Sequence, residues 1–323
     1  MHNTMMFFTK KGRCYWLKCF EIPEGNKNSK GRAIQNLLNI ESDDSVNAFL
    51  RLRGLDDQVF INSHYVVFAT KNGIIKKTLL EAYSRPRANG VNAINIQEGD
   101  EVVGVRLTNG HNELVLANRN GRAVRFNENT VRAMGRVSTG VRGMRLDGGD
   151  DEVIGMVVIN RPEEETIMVV SEKGYGKRSL VEDYRVTNRG GKGVKTLGIT
   201  EKTGRLVAIK VVTDDNDLMI INKSGVVIRL SVQECRVMGR ATQGVRLINL
   251  AKKNDVIASV CKVMSSELES IAEEESRKDF ASTSEEIQKS NTALPSEDAD
   301  VVDADVDDTD VMDDDSSENN TEE

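Results

Sequence analysis

The sequence contains few histidines, cysteines, prolines and aromatic residues for its length of 323 residues, with three histidines, four cysteines and one tryptophan. His2, His64 and His111 are scattered and adjoin no nucleophile, so no catalytic triad is predicted. The cysteines have neither the paired spacing of a zinc site nor the density of a secreted disulfide scaffold. We therefore expect no catalytic residues, no metal and no cofactor in this chain.

Long apolar runs and nucleotide-binding motifs are also missing. The opening MHNTMMFFTKKGR lacks the apolar core of a signal peptide, and no stretch approaches the ~20 apolar residues of a membrane-spanning helix. We expect a cytoplasmic protein. The glycine-rich stretch 189–193 lacks the GxxxxGK[ST] frame and the following helix of a phosphate-binding loop, so an ATP site is not predicted.

What the sequence does contain is a fivefold repeat, marked by pairs of glycines 17 or 19 residues apart. The pairs are Gly12 and Gly31, Gly73 and Gly90, Gly121 and Gly140, Gly174 and Gly193, and Gly225 and Gly244. Successive first glycines are 61, 48, 53 and 51 residues apart, a period typical of propellers and solenoids. We place the units at about 1–54, 55–110, 111–162, 163–214 and 215–264.

Each unit contains four short segments rich in β-branched and aromatic residues, a composition that favours four β-strands. The first segment ends at the first glycine, and a second segment of mixed basic and apolar residues follows it. The third begins at the second glycine and alternates apolar with often basic residues, which predicts one buried and one exposed face. The fourth is the most apolar and is expected to lie deepest. The pattern predicts an all-β, propeller-like array of four-stranded blades.

Charge divides the chain into two regions. Residues 1–264 contain 41 Lys and Arg against 29 Asp and Glu, a balance of +12, whereas residues 265–323 contain 3 against 22, a balance of −19. The acidic region has too few large apolar side chains to form a core, which predicts a disordered tail with at most a marginal helix at 267–278. Residues 1–264 are the predicted folded domain.

Basic residues recur at equivalent places in successive units, and they form two groups. The second-strand group comprises Lys11, Arg13, Lys76, Lys77, Arg122, Arg125, Lys177, Arg178 and Arg229. The group around or before the second glycine comprises Lys30, Arg32, Arg85, Arg87, Arg136, Arg185, Arg189, Lys192, Arg236 and Arg240. Evenly spaced cations match a bent polyanion, since phosphate contacts release counterions without reading base sequence. We predict bent double-stranded DNA as the ligand. The alternative is that these charges only solvate exposed faces.

Several segments resemble the C-terminal domain of the A subunit of the DNA gyrases, which are type IIA DNA topoisomerases. They are GYGKRSLVEDY at 174–184, VRAMGRVSTGVRGMRL at 131–146, RANGVNAINI at 87–96 and VMGRATQGVRLINL at 237–250. The resemblance extends from Met1 to about Met264. It implies a six-bladed β-pinwheel whose blades exchange strands and whose outer edge wraps DNA. In that family the wrap lets ATP-driven strand passage introduce negative supercoils.

The sequence departs from this family in two respects. The family's basic box, QRRGGRG, lies in the first blade, whereas here a related TNRGGKG lies in the fourth unit and contains Arg189, Gly190, Gly191, Lys192 and Gly193. There are also five units instead of six. The resemblance then implies a fragment without the first blade and without the catalytic region and its tyrosine. In the parent enzyme that region and the B subunit form a heterotetramer that uses ATP and magnesium in the bacterial cytoplasm, on the chromosome.

Two alternative functions fit the same pattern. The corresponding domain of the topoisomerase IV A subunit has fewer blades, and propellers also serve as scaffolds that bind other proteins. A scaffold interface is expected to be less sensitive to salt than DNA binding. Under the DNA-binding hypothesis, the acidic tail is expected to compete with DNA for the basic surface, because tethering gives it a high effective concentration. A role in solubility alone is the other interpretation of the tail.

Overall fold

The computed structural model describes residues 3–26, 28–52, 54–250 and 255–264, which form five small antiparallel sheets in a propeller-like ring. In chain order the strands are β1 (Thr4–Thr9), β2 (Arg13–Lys18), β3 (Val46–Leu52), β4 (Tyr65–Thr70), β5 (Ile74–Leu79), β6 (Val91–Asn92), β7 (Val102–Thr108), β8 (Glu113–Asn118), β9 (Arg122–Asn127), β10 (Val141–Arg142), β11 (Val153–Ile159), β12 (Thr166–Ser171), β13 (Tyr175–Leu180), β14 (Val194–Lys195), β15 (Leu206–Val212), β16 (Asn216–Asn222), β17 (Val227–Ser231), β18 (Val245–Arg246) and β19 (Ile257–Met264). The single α-helix described, α1 (Gln58–Ser63), links units 1 and 2.

Each unit begins with a hairpin whose tight turn contains the first glycine. In unit 4, for example, Gly174 between β12 and β13 has a φ of +78°, which glycine adopts without the penalty that a Cβ would bring. The first strand of the hairpin also pairs with the fourth strand of its unit, so that β12 lies between β13 and β15. The first strand therefore has a hydrogen-bonded neighbour on both sides in every sheet, and in the four-stranded sheets the second strand does as well.

The last strand of each complete sheet comes from the following unit. The sheet orders are β3-β1-β2-β6, β7-β4-β5-β10, β11-β8-β9-β14, β15-β12-β13-β18 and, with three strands described, β19-β16-β17. In the first sheet Cys14 of β2 pairs with Val91 of β6. The all-β prediction is confirmed, and so is the exchange of strands that the family resemblance implies.

The third segment differs from the prediction in length and in location. It pairs over only two residues, and it pairs with the preceding sheet instead of its own. The backbone explains why: the carbonyl of Gly12 accepts hydrogen bonds from both Ala93 N and Ile94 N, at 2.8 and 3.2 Å. These two hydrogen bonds end the two-residue β-ladder. The third segment then continues between units 1 and 2, where Ala93 and Ile94 are buried.

The fourth strands form the inner wall of the array. Consecutive fourth strands, β3, β7, β11, β15 and β19, pack against one another, whereas the exchanged strands lie at the opposite ends of the sheets. Apolar residues of the inner strands, such as Val105 and Met156, are buried. The prediction that the fourth strands lie deepest is nevertheless wrong, because each fourth strand is an edge strand of its sheet: β3 and β19 have few buried residues, whereas the first strands β4 and β8 are almost completely buried. The exchanged strands form the outer edges of the sheets.

Within the described residues, no helix is both long enough and apolar enough to span a membrane. The acidic region 265–323, including the predicted helix at 267–278, lies outside the residues that the structure describes. The boundary at Met264 between domain and tail therefore stays a prediction.

Candidate nucleic-acid interface

Four loops carry the chain from one unit to the sheet of the preceding unit, and we call them the crossing loops. They comprise residues 84–90, 131–140, 184–193 and 235–244, and each is followed by an exchanged strand. The same backbone hydrogen bond, 2.8 Å long, attaches three of them to the preceding second strand: Met134 N to Lys77 O, Thr187 N to Arg125 O, and Met238 N to Arg178 O. The sequence repeat therefore places these three crossing loops at equivalent positions on successive sheets.

Consecutive crossing loops are also bonded to one another through the residues that follow each exchanged strand. The equivalent bonds are Asn95 N to Ser138 O at 3.2 Å, Arg145 N to Gly191 O at 2.9 Å, and Gly198 N to Thr242 O at 2.9 Å. Two guanidinium groups reinforce these links, since Arg189 donates to Arg142 O at 3.1 Å and Arg240 to Lys195 O at 2.9 Å. The four loops and their exchanged strands thus form one continuous band along the outer edge, the crossing-loop band.

The box-like TNRGGKG segment lies within this band. Gly190 N donates to Gly143 O at 2.6 Å. Gly193 lies directly against the backbone of Ala123, so that a Cβ at this position would clash with the Ala123 carbonyl. Glycine is needed here because the loop backbone sits on the preceding second strand.

Many of the predicted cations of the second group lie on the surface of the band. Those exposed are Arg85, Arg87, Arg185, Lys192 and Arg236, and those partly buried are Arg136, Arg189 and Arg240. Lys192 lies 2.7 Å from Asp147, and this ammonium group holds the pKa of the Asp147 carboxyl below its usual value. The band is therefore rich in cations, though not all of them are unpaired.

Sequence reasoning missed four further exposed cations of the band: Arg132, Arg142, Lys195 and Arg246. Three of them share one position, the second residue after the second glycine, which is the outward-facing residue of a two-residue exchanged strand. The alternation of apolar and basic residues in the third segments was the signal that could have identified them. The alternation was read as one buried and one exposed face of a strand, and its basic residues were not included among the predicted DNA-binding residues.

Four cations of the second-strand group are in the interior instead of on the DNA-binding surface where the sequence analysis placed them. Lys76 and Lys177 are completely buried, and Lys77 and Arg125 are 5% and 9% exposed. They occupy the middle of a second strand, and the crossing loop of the next unit covers that strand. Burial by a later segment is not visible in the local sequence.

The two fully buried lysines hold the crossing loops in place. Lys76 Nζ donates to Ala93 O at 2.6 Å and to Arg136 O, and Lys177 Nζ donates to Gly239 O at 2.5 Å. Burial, with a smaller contribution from the charge of Arg136, lowers the pKa of Lys76 to about 7. Burial likewise lowers the pKa of Lys177 to about 8. These lysines therefore contribute directed hydrogen bonds more than surface charge.

Lys76 and Lys177 occupy equivalent positions in the second strands of their units. In units 2 to 5, the next residue along the second strand is a cation that pairs with an acidic residue. The pairs are Lys77 with Glu128 at 2.9 Å, Arg125 with Glu113, Arg178 with Asp214 and Arg229 with Asp217. Arg125 also donates to two carbonyls of the next unit, Val181 O and Tyr184 O. Arg229 alone of the four is exposed. Their charge is largely balanced at short range. The Lys77–Glu128 pair connects units 2 and 3, and the carbonyl contacts of Arg125 and Arg178 connect their units to the next one, whereas the Arg229–Asp217 pair lies within unit 5.

The other predicted cations lie outside the band or at its edge. Lys11 is exposed and bonds to Asp43, an interaction that raises the Lys11 pKa. Arg13 donates to Asn89 O of the first crossing loop at 2.7 Å, and Arg122 lies 3.7 Å from Asp147. Lys30 and Arg32 are exposed on unit 1. The structure thus assembles eight of the nineteen predicted cations on the crossing-loop band.

Comparison with known proteins identifies the family. The family model described as DNA gyrase C-terminal domain, beta-propeller matches residues 3–53, 64–109, 112–160, 165–213 and 216–261, which are the five units. The DNA gyrase A subunit of Staphylococcus aureus (strain NCTC 8325 / PS 47) is 42% identical over 283 residues, covering 88% of this chain and 31% of the relative. That of Staphylococcus epidermidis is 42% identical over 262 residues, covering 81% and 29%. The chain thus spans about a third of the length of these relatives.

Solved structures with the same fold agree with this assignment. The C-terminal domain of a DNA topoisomerase IV matches with a TM-score of 0.73 and 27% identity, covering 82% of this chain and 80% of that one. A DNA gyrase A C-terminal domain matches with a TM-score of 0.69 and 23% identity, covering 81% and 83%, which supports the fold. With all five units matched by the family model, the chain belongs to the DNA gyrase C-terminal domain family of β-propellers.

Proposed function

We propose that this chain binds double-stranded DNA along the crossing-loop band and bends it, serving as the DNA-wrapping element of a DNA gyrase. The observation that carries the proposal is the backbone bond that recurs between consecutive loops, from Asn95 to Ser138 and onward. It makes an uninterrupted outer track on which Arg142, Lys195 and Arg246 repeat at one position. Cations repeated along a curved track suit a curved polyanion better than a single small ligand.

The proposed binding does not depend on base sequence. Cations on a convex edge reach phosphates, and each phosphate contact gains free energy by releasing counterions while carrying no sequence information. Bending a duplex of 20–30 base pairs by 40–90° costs on the order of 1–6 kcal/mol, which several phosphate contacts can offset. The buried lysines and the paired arginines keep the track rigid, so that DNA adapts to the protein.

In the parent enzyme, this wrap would present a second segment of the same DNA to the strand-passage site with a fixed crossing hand. Negative supercoiling, the use of ATP and magnesium, and assembly with the catalytic region and the B subunit in the bacterial cytoplasm are functions of that whole enzyme. They are part of the proposal, since the chain spans 31% of its gyrase relative. The chain itself is expected to neither cleave DNA nor hydrolyse ATP.

The test is a salt titration of DNA binding by a fourfold variant, with Arg132, Arg142, Lys195 and Arg236 changed to alanine. The plot of log K against log salt has a negative slope, and each lost phosphate contact reduces its magnitude by about 0.9. The fourfold variant should therefore show a slope that is shallower by about 3 to 4. A matched control changes four exposed cations outside the band to alanine: Arg51, Arg161, Lys202 and Lys223. Equal slopes for the two folded variants would contradict the proposed surface.

A second candidate is the corresponding role in topoisomerase IV, which the structural match at a TM-score of 0.73 favours. The identity of 42% to the gyrase A subunit against 27% to that domain favours gyrase. Ligation of a nicked plasmid with the protein bound tests the wrapping that the proposed gyrase role requires. Wrapping with a fixed hand leaves a change in linking number after the protein is removed, whereas contact without wrapping leaves none. A scaffold that binds only proteins would show no salt-dependent DNA binding.

A further inference from the structure

Each of the four crossing loops contains an exposed arginine that is followed directly by an exposed apolar residue. We call these dipeptides the arginine–apolar pairs, and they are Arg85–Pro86, Arg132–Ala133, Arg185–Val186 and Arg236–Val237. The two valines are 52% and 46% exposed. Single exposed apolar residues are common on protein surfaces and need no explanation. Here, however, one lies beside an arginine in every crossing loop, so it is a feature of the repeat.

The backbone attaches three of these apolar residues to the preceding second strand through parallel β-bridges. The bridges are Ala133 with Lys77, Val186 with Arg125, and Val237 with Arg178. The residue after each apolar residue donates the 2.8 Å hydrogen bond to the same strand. Ala133 makes this attachment with a single methyl group, so the attachment does not require the larger valine side chains. About half of the surface of each valine is left for another contact.

The arginines of the pairs differ from the cations buried between units. None of the four forms an ion pair with another residue in the part of the chain that the structure describes. By contrast, Lys77 pairs with Glu128, and Lys192 of the same band lies 2.7 Å from Asp147. A guanidinium group without a carboxylate partner can bind a phosphate in bidentate geometry. Each pair therefore presents a phosphate-binding group next to an apolar side chain.

This arrangement matches the chemistry of a nucleic-acid strand. Neighbouring residues have Cα atoms about 3.8 Å apart, and each phosphate of a nucleic acid is bonded to a sugar. An arginine that binds a phosphate thus brings its apolar neighbour to the adjoining sugar. Deoxyribose presents carbon atoms there, whereas ribose adds a 2′-hydroxyl that donates and accepts hydrogen bonds. Methyl groups cannot replace the water that this hydroxyl loses on contact.

We propose that the arginine–apolar pairs select DNA over RNA, with the arginine on a phosphate and the apolar side chain on the adjoining deoxyribose. This inference rests on the proposed function and adds to it a choice of sugar. The apolar contact removes carbon surface from water, so it contributes affinity that does not depend on salt concentration. The same side chain against a ribose lowers affinity, because the 2′-hydroxyl is left without a hydrogen-bond partner.

The test changes the two valines together, as Val186→Thr with Val237→Thr. Threonine keeps the branched shape that suits a β-bridge and replaces one methyl group by a hydroxyl. Fluorescence anisotropy measures the affinity of each protein for a DNA duplex and an RNA duplex of the same sequence and length. The variant should bind DNA about three- to tenfold more weakly than the wild type, with an unchanged salt slope. Its affinity for RNA should stay the same or rise, since the new hydroxyl can bond to the 2′-hydroxyl.

Two controls separate the halves of the pair from each other and from the fold. Val59→Thr changes a valine that is 79% exposed in α1, outside the band, and should alter neither affinity. Arg185→Ala with Arg236→Ala should weaken binding of both duplexes and make both salt slopes shallower by about 2, because phosphates are common to DNA and RNA. Circular dichroism checks folding. Val186→Ala with Val237→Ala replaces a threonine variant that fails to fold, since Ala133 forms the same bridge.

The comparison of variant with wild type on each duplex removes the effect of the different helical forms of DNA and RNA. A threonine variant that binds DNA as tightly as the wild type would overturn the inference, and so would an equal loss of affinity for both duplexes. Either result leaves the proposed function intact, because the wild type still binds DNA. A wild type without salt-dependent DNA binding would overturn the proposed function and this inference together.

Discussion

Unit 4 contains two sets of cations that look alike in sequence and differ completely in environment. Lys177 and Arg178 lie on β13, where Lys177 is fully buried and Arg178 donates to Cys235 O and pairs with Asp214. Arg185 and Lys192 lie on the crossing loop that follows, and both are exposed. The comparison shows that a repeated cation can either stabilise the contact between two units or remain on the surface. Which of the two occurs depends on whether the next unit covers it.

The largest expected effect is on stability, and it concerns Lys77, a buried cation at the contact between units 2 and 3. Changing Lys77 to methionine would leave Glu128, which is 0% exposed, without its charged partner at 2.9 Å. Removing one partner of a buried ion pair typically costs about 3–5 kcal/mol of stability, because the remaining charge is uncompensated. Urea unfolding should therefore show a free energy of unfolding lowered by that amount.

Two further variants sharpen this measurement. The double variant Lys77→Met with Glu128→Gln should recover part of the lost stability, because a neutral amide still bonds to Thr108 and Asn112. Lys195→Met, on the exposed crossing-loop band, should change the free energy of unfolding by less than about 0.5 kcal/mol. A Lys77→Met variant as stable as the wild type would show that burial does not distinguish the two sets.

The second prediction separates the two sets of unit 4 by their effects on DNA binding and on stability. The variant Arg185→Ala with Lys192→Ala should lower the salt slope of DNA binding by about 2, for two lost phosphate contacts, with little change in the melting temperature. Lys177→Met should do the reverse at neutral pH, altering the melting temperature while keeping the salt slope. Fluorescence anisotropy and thermal melts measure the two quantities. Identical behaviour of both variants would remove the distinction.

The third prediction uses pH. Lys76 has a pKa of about 7 in the folded protein, below its ordinary value of 10.5, because burial disfavours the ammonium form. Between these two values the unfolded chain binds more protons, so this lysine makes stability rise as the pH increases from about 7 towards 10. Urea midpoints at pH 6.5, 8 and 9.5 should show a smaller rise for Lys76→Met than for the wild type. An unchanged rise would mean that Lys76 does not titrate in this range.

The smallest expected effect concerns the acidic region. Ending the chain after Met264 removes a balance of −19 from a domain with a balance of +12. If the region competes for the crossing-loop band, the shortened chain should bind DNA more tightly at low salt, and the difference should shrink as ions screen the attraction beyond about 8–10 Å. Equal affinities at low salt would instead favour a role in solubility.

The fold followed from the sequence because its signals are local. A first glycine such as Gly174 marks a hairpin turn, and the apolar segments around it pair with their immediate neighbours along the chain. The exchange of the third segment was expected only through the family resemblance. Its two-residue pairing at Val245 and Arg246 was not foreseen, because it depends on contacts with a different unit.

The candidate site was predicted less completely than the fold. Arg185 and Lys192 were placed on an exposed surface, as the structure has them, whereas Arg142 and Lys195 were missed and Lys76 was assigned to the surface although it is buried. Lysine side chains are rarely buried, which makes exposure the reasonable default from sequence. Here hydrogen bonds from Lys76 Nζ to carbonyls of two segments offset the cost of burial.

The sequence by itself determined the number of units, the strands within each unit and the sign of the charge on the two regions, because these depend on residue type and on spacing along the chain. Only the tertiary structure decided which cations remain on the surface and which, such as Lys76 and Lys177, are covered by the next unit. Those outcomes depend on contacts between segments far apart along the chain. A local pattern specifies what a segment can form, and packing between units decides what remains exposed.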